Sequence, residues 1–505
     1  MLFGQAVRVG CLRQKLGIRA PPDVNVNSDS MNHLQRDSWQ CLPPGTSLTP
    51  TNRPPTWGHT AARNGVYIGS AGIYVMDKSV AGFIPSDLPT SSITLLMSKQ
   101  LSIPPSGSRA SFLETSVGPA TLILKERIWV GSDARSASVS KSDLQKLEEF
   151  WQPCAQLLES AIQVSVSEEI DDDGCEVLYG RAGLLYALLL LRTALASLRD
   201  GGMSISQTED PAVRAVTSLC SDANVQALVD DIMKRGKIGA REYQEELASL
   251  RDERDKVPPL MWRWHVSRYL GGAHGVVGIL HMLVMAPSNI TTTYWPDIVG
   301  MVEWLLAIQE PLGNWPSKAG RHLYYVAGGT ATSQEAKRVS VGKDNQHELL
   351  QWCHGAPGVL ILLSAFLNRT AQSSSLTITS SLRDRTIAAM QRGGELVYTH
   401  GLLRKGVGLC HGVAGSAYAL LAVSDALDSR ENTYWLLRAV HLAHLATEYG
   451  ALERKGETRV PDEPYSLYEG IAGMCCAWAE VLVRLGVPSR GVEKRKSGMP
   501  GYDDL

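Results

Sequence analysis

Beyond about residue 140, apolar residues recur every three to four positions over long stretches of the chain. This spacing is typical of helices that bury one face. Clear examples are 184–198, 276–285, 359–367 and 417–427, each bounded by glycine, proline or polar residues. The strict alternation of a β-strand is scarce in this part of the chain. The pattern therefore predicts an all-α protein.

A pair of glycines three residues apart recurs along the chain, usually followed by an apolar helical stretch. The pairs begin at Gly69, Gly180, Gly275, Gly355, Gly412 and Gly470. We expect a further, degenerate copy at 131–134, where the second glycine is missing. The last two intervals between first glycines are 57 and 58 residues. This length fits a hairpin of two antiparallel helices with two connecting loops. A single hairpin of this size cannot bury its apolar faces, so the copies must pack side by side.

About seven such hairpins would close into an (α/α) toroid, with inner and outer rings of helices. Glycines at the mouth of each inner helix would let neighbouring helices approach closely. We place the toroid at 61–488, with 61–140 atypical because the repeats there are degenerate. Residues 1–60, rich in Pro, Ser, Asn and Thr, are expected to be irregular. Residues 489–505 are expected to form a tail.

Charge and composition exclude several classes of function. The 505 residues carry 49 Lys and Arg against 51 Asp and Glu, so no basic field favours nucleic acid as a partner. The longest apolar run, 182–191, is about half of the roughly 20 residues that cross a bilayer, and we expect no transmembrane segment. Nine thinly spread cysteines indicate a reducing, cytoplasmic environment. An organelle presequence or peripheral membrane association are the weaker alternatives.

The residues just before each glycine pair should occupy equivalent places at the inner-helix mouths and converge on the ring axis. His274, His354 and His411 stand one position before the first glycine, and Cys353 and Cys410 stand two positions before it. Sulfur and imidazole nitrogen suit Zn²⁺, which prefers four tetrahedral ligands. The register therefore predicts a zinc site assembled by the fold. The alternative is that these cysteines and histidines are packing residues where helices crowd together. This alternative explains one Cys-His pair better than it explains two.

Four blocks resemble the signature blocks of the lanthionine synthetase C-like family. They are GGAHG at 271–275, QWCHGAPG at 351–358, GLCHGVAG at 408–415 and SLYEGIAG at 466–473. LYGRAG at 178–183 and NWPS at 314–317 are also similar to family sequences. The eukaryotic, glutathione-using branch is the most similar, and the resemblance covers about 170–485.

The resemblance implies a double ring of seven inner and seven outer helices around one zinc. By motif matching, the zinc ligands are Cys353, Cys410 and His411, with a fourth position open to water or a substrate thiol. The implied activity adds the glutathione thiol to dehydroalanine or dehydrobutyrine residues of proteins or peptides. His274 is the candidate acid that protonates the α-carbon, and Glu176 is similar to the acidic partner of the family.

Glutathione carries two carboxylates, so its pocket should present cations. Lys405, five residues before Cys410, and Arg459, shortly before the seventh motif, resemble the glutathione contacts of the family. For both residues, and for Glu176, the alternative is an ordinary solvated charge. His354 is expected to orient a zinc ligand, with the alternative that it fills the fourth zinc position.

Two other classes of function remain open. One is a non-catalytic scaffold that binds zinc and glutathione and reports on redox state or docks kinases. The other is a different toroid enzyme, such as a glycosidase or a prenyl or terpenoid enzyme. That class needs paired acids or an aspartate-rich metal motif at the axis, where the register offers only Glu176 and Glu469. It is therefore the weakest of the three.

Overall fold

The computed structural model describes residues 65–83, 93–97, 101, 103–130, 139–167, 169–200, 209–249, 257–320, 349–488 and 497–505. The predicted irregular segment 1–60 lies outside these ranges, and so does the stretch 131–134. Within the described ranges the chain is helical and contains no β-strand, only isolated backbone bridges. The predicted fold class is confirmed.

The α-helices of the described residues are, in chain order, α1 (Ser70–Val80), α2 (Val117–Val130), α3 (Lys141–Ser167), α4 (Arg181–Asp200), α5 (Pro211–Leu219), α6 (Asp222–Ser249), α7 (Val276–Met285), α8 (Ser288–Thr291), α9 (Trp295–Ala307), α10 (Ala356–Gln372), α11 (Ser380–His400), α12 (Val413–Leu427), α13 (Tyr434–Leu445), α14 (Tyr449–Arg454) and α15 (Ile471–Arg484). Short 3₁₀ turns lie at Ala81–Phe83, Ile93–Leu95, Thr292–Tyr294 and Ala446–Glu448.

Seven helices form the inner ring: α1, α2, α4, α7, α10, α12 and α15. From α2 to α15 each inner helix packs on the next one in chain order, and α15 packs on α1. Helices α3, α6, α9, α11 and α13 lie outside and pack against inner helices. The inner helices are apolar on nearly all sides, as expected for helices covered on both faces. In α7, for example, every residue from Val276 to Val284 is buried.

The segments that lead into the inner helices are joined to one another by a closed circle of backbone hydrogen bonds. Each segment donates an N–H to a carbonyl of the next, and the seventh donates to the first. The bonds are Tyr67 N to Leu113 O (3.0 Å), Ser111 N to Tyr179 O (3.1 Å), Leu178 N to Ala273 O (3.2 Å), Gly272 N to Trp352 O (3.0 Å), Cys353 N to Cys410 O (3.3 Å), Cys410 N to Tyr468 O (2.8 Å) and Tyr468 N to Tyr67 O (3.0 Å). The ring of seven copies is therefore complete.

The second copy lies at 115–118, and the predicted position at 131–134 is wrong. Helix α2 begins at Val117, and Gly118 takes the place of the second glycine of the pair. Thr115 replaces the first glycine, and its carbonyl accepts from Gly118 N (3.3 Å) as Gly69 O accepts from Gly72 N (3.1 Å). The first glycine can thus be replaced, whereas all seven copies keep the second one. A Cβ at the second glycine would lie 2.0–2.5 Å from the backbone carbonyl oxygen six residues earlier in the same copy, and in most copies it would also meet atoms of the neighbouring copy.

Helix α4 is long and apolar enough to cross a membrane by length and composition. Of its most apolar window, 78% is buried inside the ring. The helical stretches 276–285 and 288–307, which are sharply bent relative to each other, meet the same criteria when they are counted as one span. Packing between inner and outer helices accounts for this apolarity.

The segment 497–505, expected to be a tail, lies within the ring. Met499 and Tyr502 have no exposed surface. Tyr502 contacts side chains of several copies of the repeat, including Trp352 and His281. The toroid therefore includes this segment as part of its interior.

The role of the second glycine is tested by Gly118→Ala. A Cβ at this position would lie 2.0 Å from Phe112 O and 2.9 Å from Val66 Cγ2, so we expect a loss of about 1–3 kcal/mol in the free energy of unfolding, as in other overpacked interiors. Gly450→Ala, in α14 with its nearest contact at 3.5 Å, should be neutral or slightly stabilising. Urea unfolding followed by circular dichroism measures both, and equal stabilities of the two variants would contradict the packing role.

Candidate functional site

Three side chains from two neighbouring loops meet at one end of the ring, where the hydrogen-bonded loop segments lead into the inner helices. We call this end the mouth of the ring. Cys353 precedes α10, and Cys410 and His411 precede α12. Their two sulfurs and one imidazole nitrogen all lie within 4.8 Å of one another. Both cysteines are buried and His411 is partly buried. Two sulfurs and one imidazole form a donor set that suits Zn²⁺, so the residues present fit this ion.

The electrostatics of this cluster favour a bound cation. Burial raises the pKa of the Cys410 thiol well above its usual value, and the neighbouring Cys353 raises it further. The hydrogen bond with Cys410 raises the pKa of His411. Without a cation, therefore, the Cys410 thiol keeps its proton at neutral pH. A metal ion would offset the cost of burying thiolates here.

His354 lies next to the cluster but is not part of it. Its ring centroid is 5.5 Å from that of Tyr269. Over the described part of the chain, the cluster holds no histidine, cysteine or carboxylate beyond Cys353, Cys410 and His411. The cluster of the described residues thus does not include His354 as a fourth ligand. That His354 orients a zinc ligand stays a prediction.

Tyr67 also belongs to this site, although no role was predicted for it. Its hydroxyl makes a hydrogen bond with Cys410, and its ring stacks on Tyr468 with centroids 4.8 Å apart. Burial raises the pKa of Tyr67, and Cys410 and Cys353 raise it further, so the phenol stays neutral. The available signal was its register, since Tyr67 stands two positions before Gly69, as Cys353 stands before Gly355.

Glu176 and His274 form a second pair on the next loops of the circle. Glu176 Oε2 lies 3.1 Å from His274 Nδ1. The Glu176 side chain is fully buried and accepts from the backbone N–H groups of Leu178 and Tyr179, both at 2.7 Å. Burial raises its pKa, and the hydrogen bond with His274 opposes that shift. Glu176 is therefore a fixed internal acceptor and not the solvated surface carboxylate of the alternative interpretation.

Aromatic side chains fix the plane of the His274 imidazole. Trp264 stacks with it at 5.5 Å between centroids and 7° between planes, and Tyr179 at 5.9 Å and 19°. The His274 side chain is 22% exposed, so one edge of the ring reaches the mouth. With Nδ1 facing Glu176, Nε2 is the nitrogen left for other partners. Trp264 lies in a tight turn outside the glycine register, so the sequence pattern does not reveal it.

The loop of His274 packs directly on the loop of Cys353. A Cβ on Gly271 would lie 1.8 Å from Cys353 O, and Gly272 N donates to Trp352 O at 3.0 Å. This contact requires a glycine at 271 because no side chain fits between the two backbones. The histidine pair and the thiol cluster therefore share one mouth, on adjacent segments of the hydrogen-bonded circle.

Lys405 and Arg459 lie on two segments that touch each other. Arg459 N donates to Arg404 O at 2.7 Å, and a Cβ on Gly406 would lie 3.3 Å from Pro461 Cγ. Both Lys405 and Arg459 are exposed. The charge of Lys405 opposes protonation of His411, which places it on the side of the thiol cluster. The structure thus brings the backbone segments of the two predicted cations together, with Lys405 on the side of the thiol cluster.

Comparison with known proteins gives consistent matches. Residues 140–484 match the family model described as lanthionine synthetase C-like protein. The chain is 30% identical over 347 residues to "Glutathione S-transferase LANCL1" of Danio rerio, covering 68% of each chain. It is 27% identical over 337 residues to "LanC-like protein GCL1" of Arabidopsis thaliana, covering 65% of this chain and 57% of the plant protein, less than two thirds of that relative. Among solved structures, nisin cyclase aligns with a TM-score of 0.44 and 14% identity, covering 84% of this chain and 90% of that one.

Zinc binding at the cluster should tighten as pH rises. Because burial raises the pKa of the Cys410 thiol, the ion must displace a proton at neutral pH, and acid competes with it. Competition with a chromophoric chelator between about pH 6.5 and 8.5 measures the effect. Cys410→Ala should lose the tight site, and Cys154→Ala, a buried cysteine in α3, should keep it. A zinc affinity independent of pH would contradict the assignment.

Proposed function

The chain belongs to the lanthionine synthetase C-like family, and on that premise we propose that it joins the thiol of glutathione to dehydroalanine or dehydrobutyrine residues of proteins or peptides, with the aid of one zinc ion. The observation that carries this proposal is the cluster of two thiols and an imidazole beside a buried carboxylate–histidine pair. The Danio rerio relative is named a glutathione S-transferase, which supports the choice of thiol.

Cys353, Cys410 and His411 would hold the zinc. When bound, the ion lowers the pKa of a substrate thiol and so supplies a thiolate at neutral pH. Three protein ligands leave one position for that thiol, which is the arrangement of catalytic rather than structural zinc sites. Tyr67 supports the site, because its hydroxyl makes a hydrogen bond with Cys410 and helps to orient it.

His274 would supply the proton that completes the addition. The glutathione sulfur forms a bond to the β-carbon as the carbon–carbon π bond breaks. The thiol releases its proton to solvent water, the α-carbon takes a proton from His274, and solvent returns a proton to His274. Glu176, itself fixed by two backbone N–H groups, holds Nδ1 of His274. The Nε2–H of the imidazolium is then directed to the mouth as the acid. A zinc- and glutathione-binding scaffold would have no use for such a buried, oriented pair.

Lys405 and Arg459 would bind the carboxylates of glutathione. Their two segments touch, both side chains are exposed, and the charge of Lys405 acts on His411. Charge-assisted hydrogen bonds to carboxylates are the strong polar contacts available to these residues. The tripeptide would thus be held at its ends while its thiol faces the cluster.

We also place the protein in the cytoplasm. Among the described residues, six cysteines are not in disulfide bonds, namely Cys154, Cys175, Cys220, Cys353, Cys410 and Cys475. Free thiols persist where glutathione keeps the surroundings reduced. A reducing compartment would also supply the proposed co-substrate.

The enzyme proposal is tested by incubating the protein with zinc, glutathione and a dehydroalanine peptide. Mass spectrometry should detect the adduct with the wild-type chain, and His274→Ala should lower kcat by about 10²–10⁴-fold while keeping its zinc. His400→Ala, at the exposed end of α11, is the matched control and should retain activity. Zinc retained by a wild-type chain that forms no adduct would favour the scaffold over the enzyme.

The glutathione contacts are tested by Lys405→Ala and Arg459→Ala. Each should raise KM for glutathione about fivefold, because each removes one exposed charge pair, and kcat should change little. Lys455→Ala removes an exposed cation after α14 and serves as the control. Steady-state kinetics with glutathione as the varied substrate separate the two constants. A fall in kcat at constant KM would show that these cations do not bind glutathione.

A further inference from the structure

We propose that the segment 497–505 is a positioning element. It occupies the interior of the ring and supports the loops that carry Cys353 and Cys410 from the side opposite the mouth. The inference rests on the proposed metal centre, but it does not depend on the proposed catalysis. It assigns a function to a stretch of chain that the sequence pattern leaves without one.

The segment begins at the far end of the inner helices. Ser497 makes hydrogen bonds with Glu480 and Arg484, at the end of α15, and Arg484 also pairs with Asp425 near the end of α12. From there the chain runs inside the ring toward the loops, with Met499 and Tyr502 fully buried. It therefore crosses the interior from the face opposite the mouth.

Two glycines give the segment its compact shape. Gly498 has φ +135°, and a Cβ there would lie 2.2 Å from Asp503 O, so the segment folds back on itself. Gly501 has φ +79°, and its N–H donates to Asp504 Oδ1 at 2.9 Å. Tyr502 N closes the turn onto Met499 O at 3.1 Å. Glycine is the residue that adopts these φ values without strain.

Polar residues of two inner helices face the segment from equivalent positions. Tyr186 of α4 and His281 of α7 both stand six residues after the first glycine of their copy. The Tyr186 hydroxyl donates to Asp504 Oδ1 at 2.6 Å. His281 stacks on Tyr502 with centroids 4.4 Å apart, and its Nε2 lies 3.1 Å from Asp503 Oδ1. The interior of the ring is thus built to receive this acidic, aromatic segment.

The Cys353 loop contacts the segment through the residue next to its ligand, whereas the Cys410 loop is connected to it through Tyr468 of the neighbouring copy. The ring of Tyr502 meets that of Trp352 edge to face at 5.0 Å, and Trp352 directly precedes Cys353. Pro500 O accepts from the Tyr468 hydroxyl at 2.9 Å.

Tyr468 connects the segment to the other cysteine ligand, Cys410. Its carbonyl accepts from Cys410 N at 2.8 Å. Its ring stacks on Tyr67, which makes a hydrogen bond with the Cys410 thiol. Contacts of this kind orient metal ligands, and their loss typically weakens metal binding 10–100-fold.

The experiment replaces one glycine inside the ring and one outside it. In Gly501→Ala the new Cβ would lie 3.0 Å from Leu113 Cδ2 and 3.3 Å from the Tyr468 hydroxyl oxygen, at a φ of +79°. In the control, Gly486→Ala, the φ is +69° and no atom lies within 4 Å. The backbone strain is similar in the two variants, and only the first disturbs the contacts with Tyr468.

Tyr502→Leu and Tyr502→Phe form a second pair, in which only the former loses the aromatic contact with Trp352.

The readouts are zinc affinity by chelator competition and the absorption spectrum of the cobalt-substituted chain, both well below the unfolding temperature. We expect Gly501→Ala and Tyr502→Leu to bind zinc about 10–100-fold more weakly and to shift the cobalt bands, while both controls match the wild type. Variants that are less stable, yet have unchanged affinity and bands, would show that the segment only fills space and would overturn the inference. A wild-type chain without a zinc site would overturn the metal centre as well.

Discussion

The closed circle of backbone hydrogen bonds among the loop segments is the constraint on which the rest of the structure depends. Each copy of the repeat is a helical hairpin with an apolar surface that it cannot bury alone. The circle fixes how the copies stand beside one another, from Tyr67 through to Tyr468 and back. Because the bonds join residues at matching positions, side chains far apart in sequence arrive at one place. Cys353 and Cys410 meet for this reason.

The site is divided among the copies, and no single one contains it. One pair of neighbouring loops contributes Glu176 and His274, and the next pair contributes the thiols and the imidazole of His411. Lys405 and Arg459, on two further segments that touch each other, are exposed. The buried groups have separate roles. The carboxylate of Glu176 fixes His274, and the thiol cluster suits a metal ion. The mouth of the ring is therefore polar, whereas the surrounding helices are packed like the core of a globular domain.

Much of this arrangement could be predicted from the glycine register. The repeat revealed the ring, and the residues before each pair revealed Cys353, Cys410 and His411 as neighbours. The second copy was misplaced because Thr115 replaces its first glycine, although Gly118, which packing requires, was present. Trp264 and the segment 497–505 could not be foreseen, because their places are set by turns and tertiary contacts outside the periodic pattern. Periodicity shows which positions are equivalent, but it does not show what fills the space between them.

X-ray absorption at the zinc K-edge shows whether Cys353, Cys410 and His411 hold a zinc ion with one position open to a thiol. We expect one zinc per chain, with two sulfur ligands at about 2.3 Å and two lighter ligands. A third sulfur should appear when glutathione is added. A chain that retains no zinc, or a site whose four protein ligands stay unchanged in the presence of glutathione, would contradict this expectation.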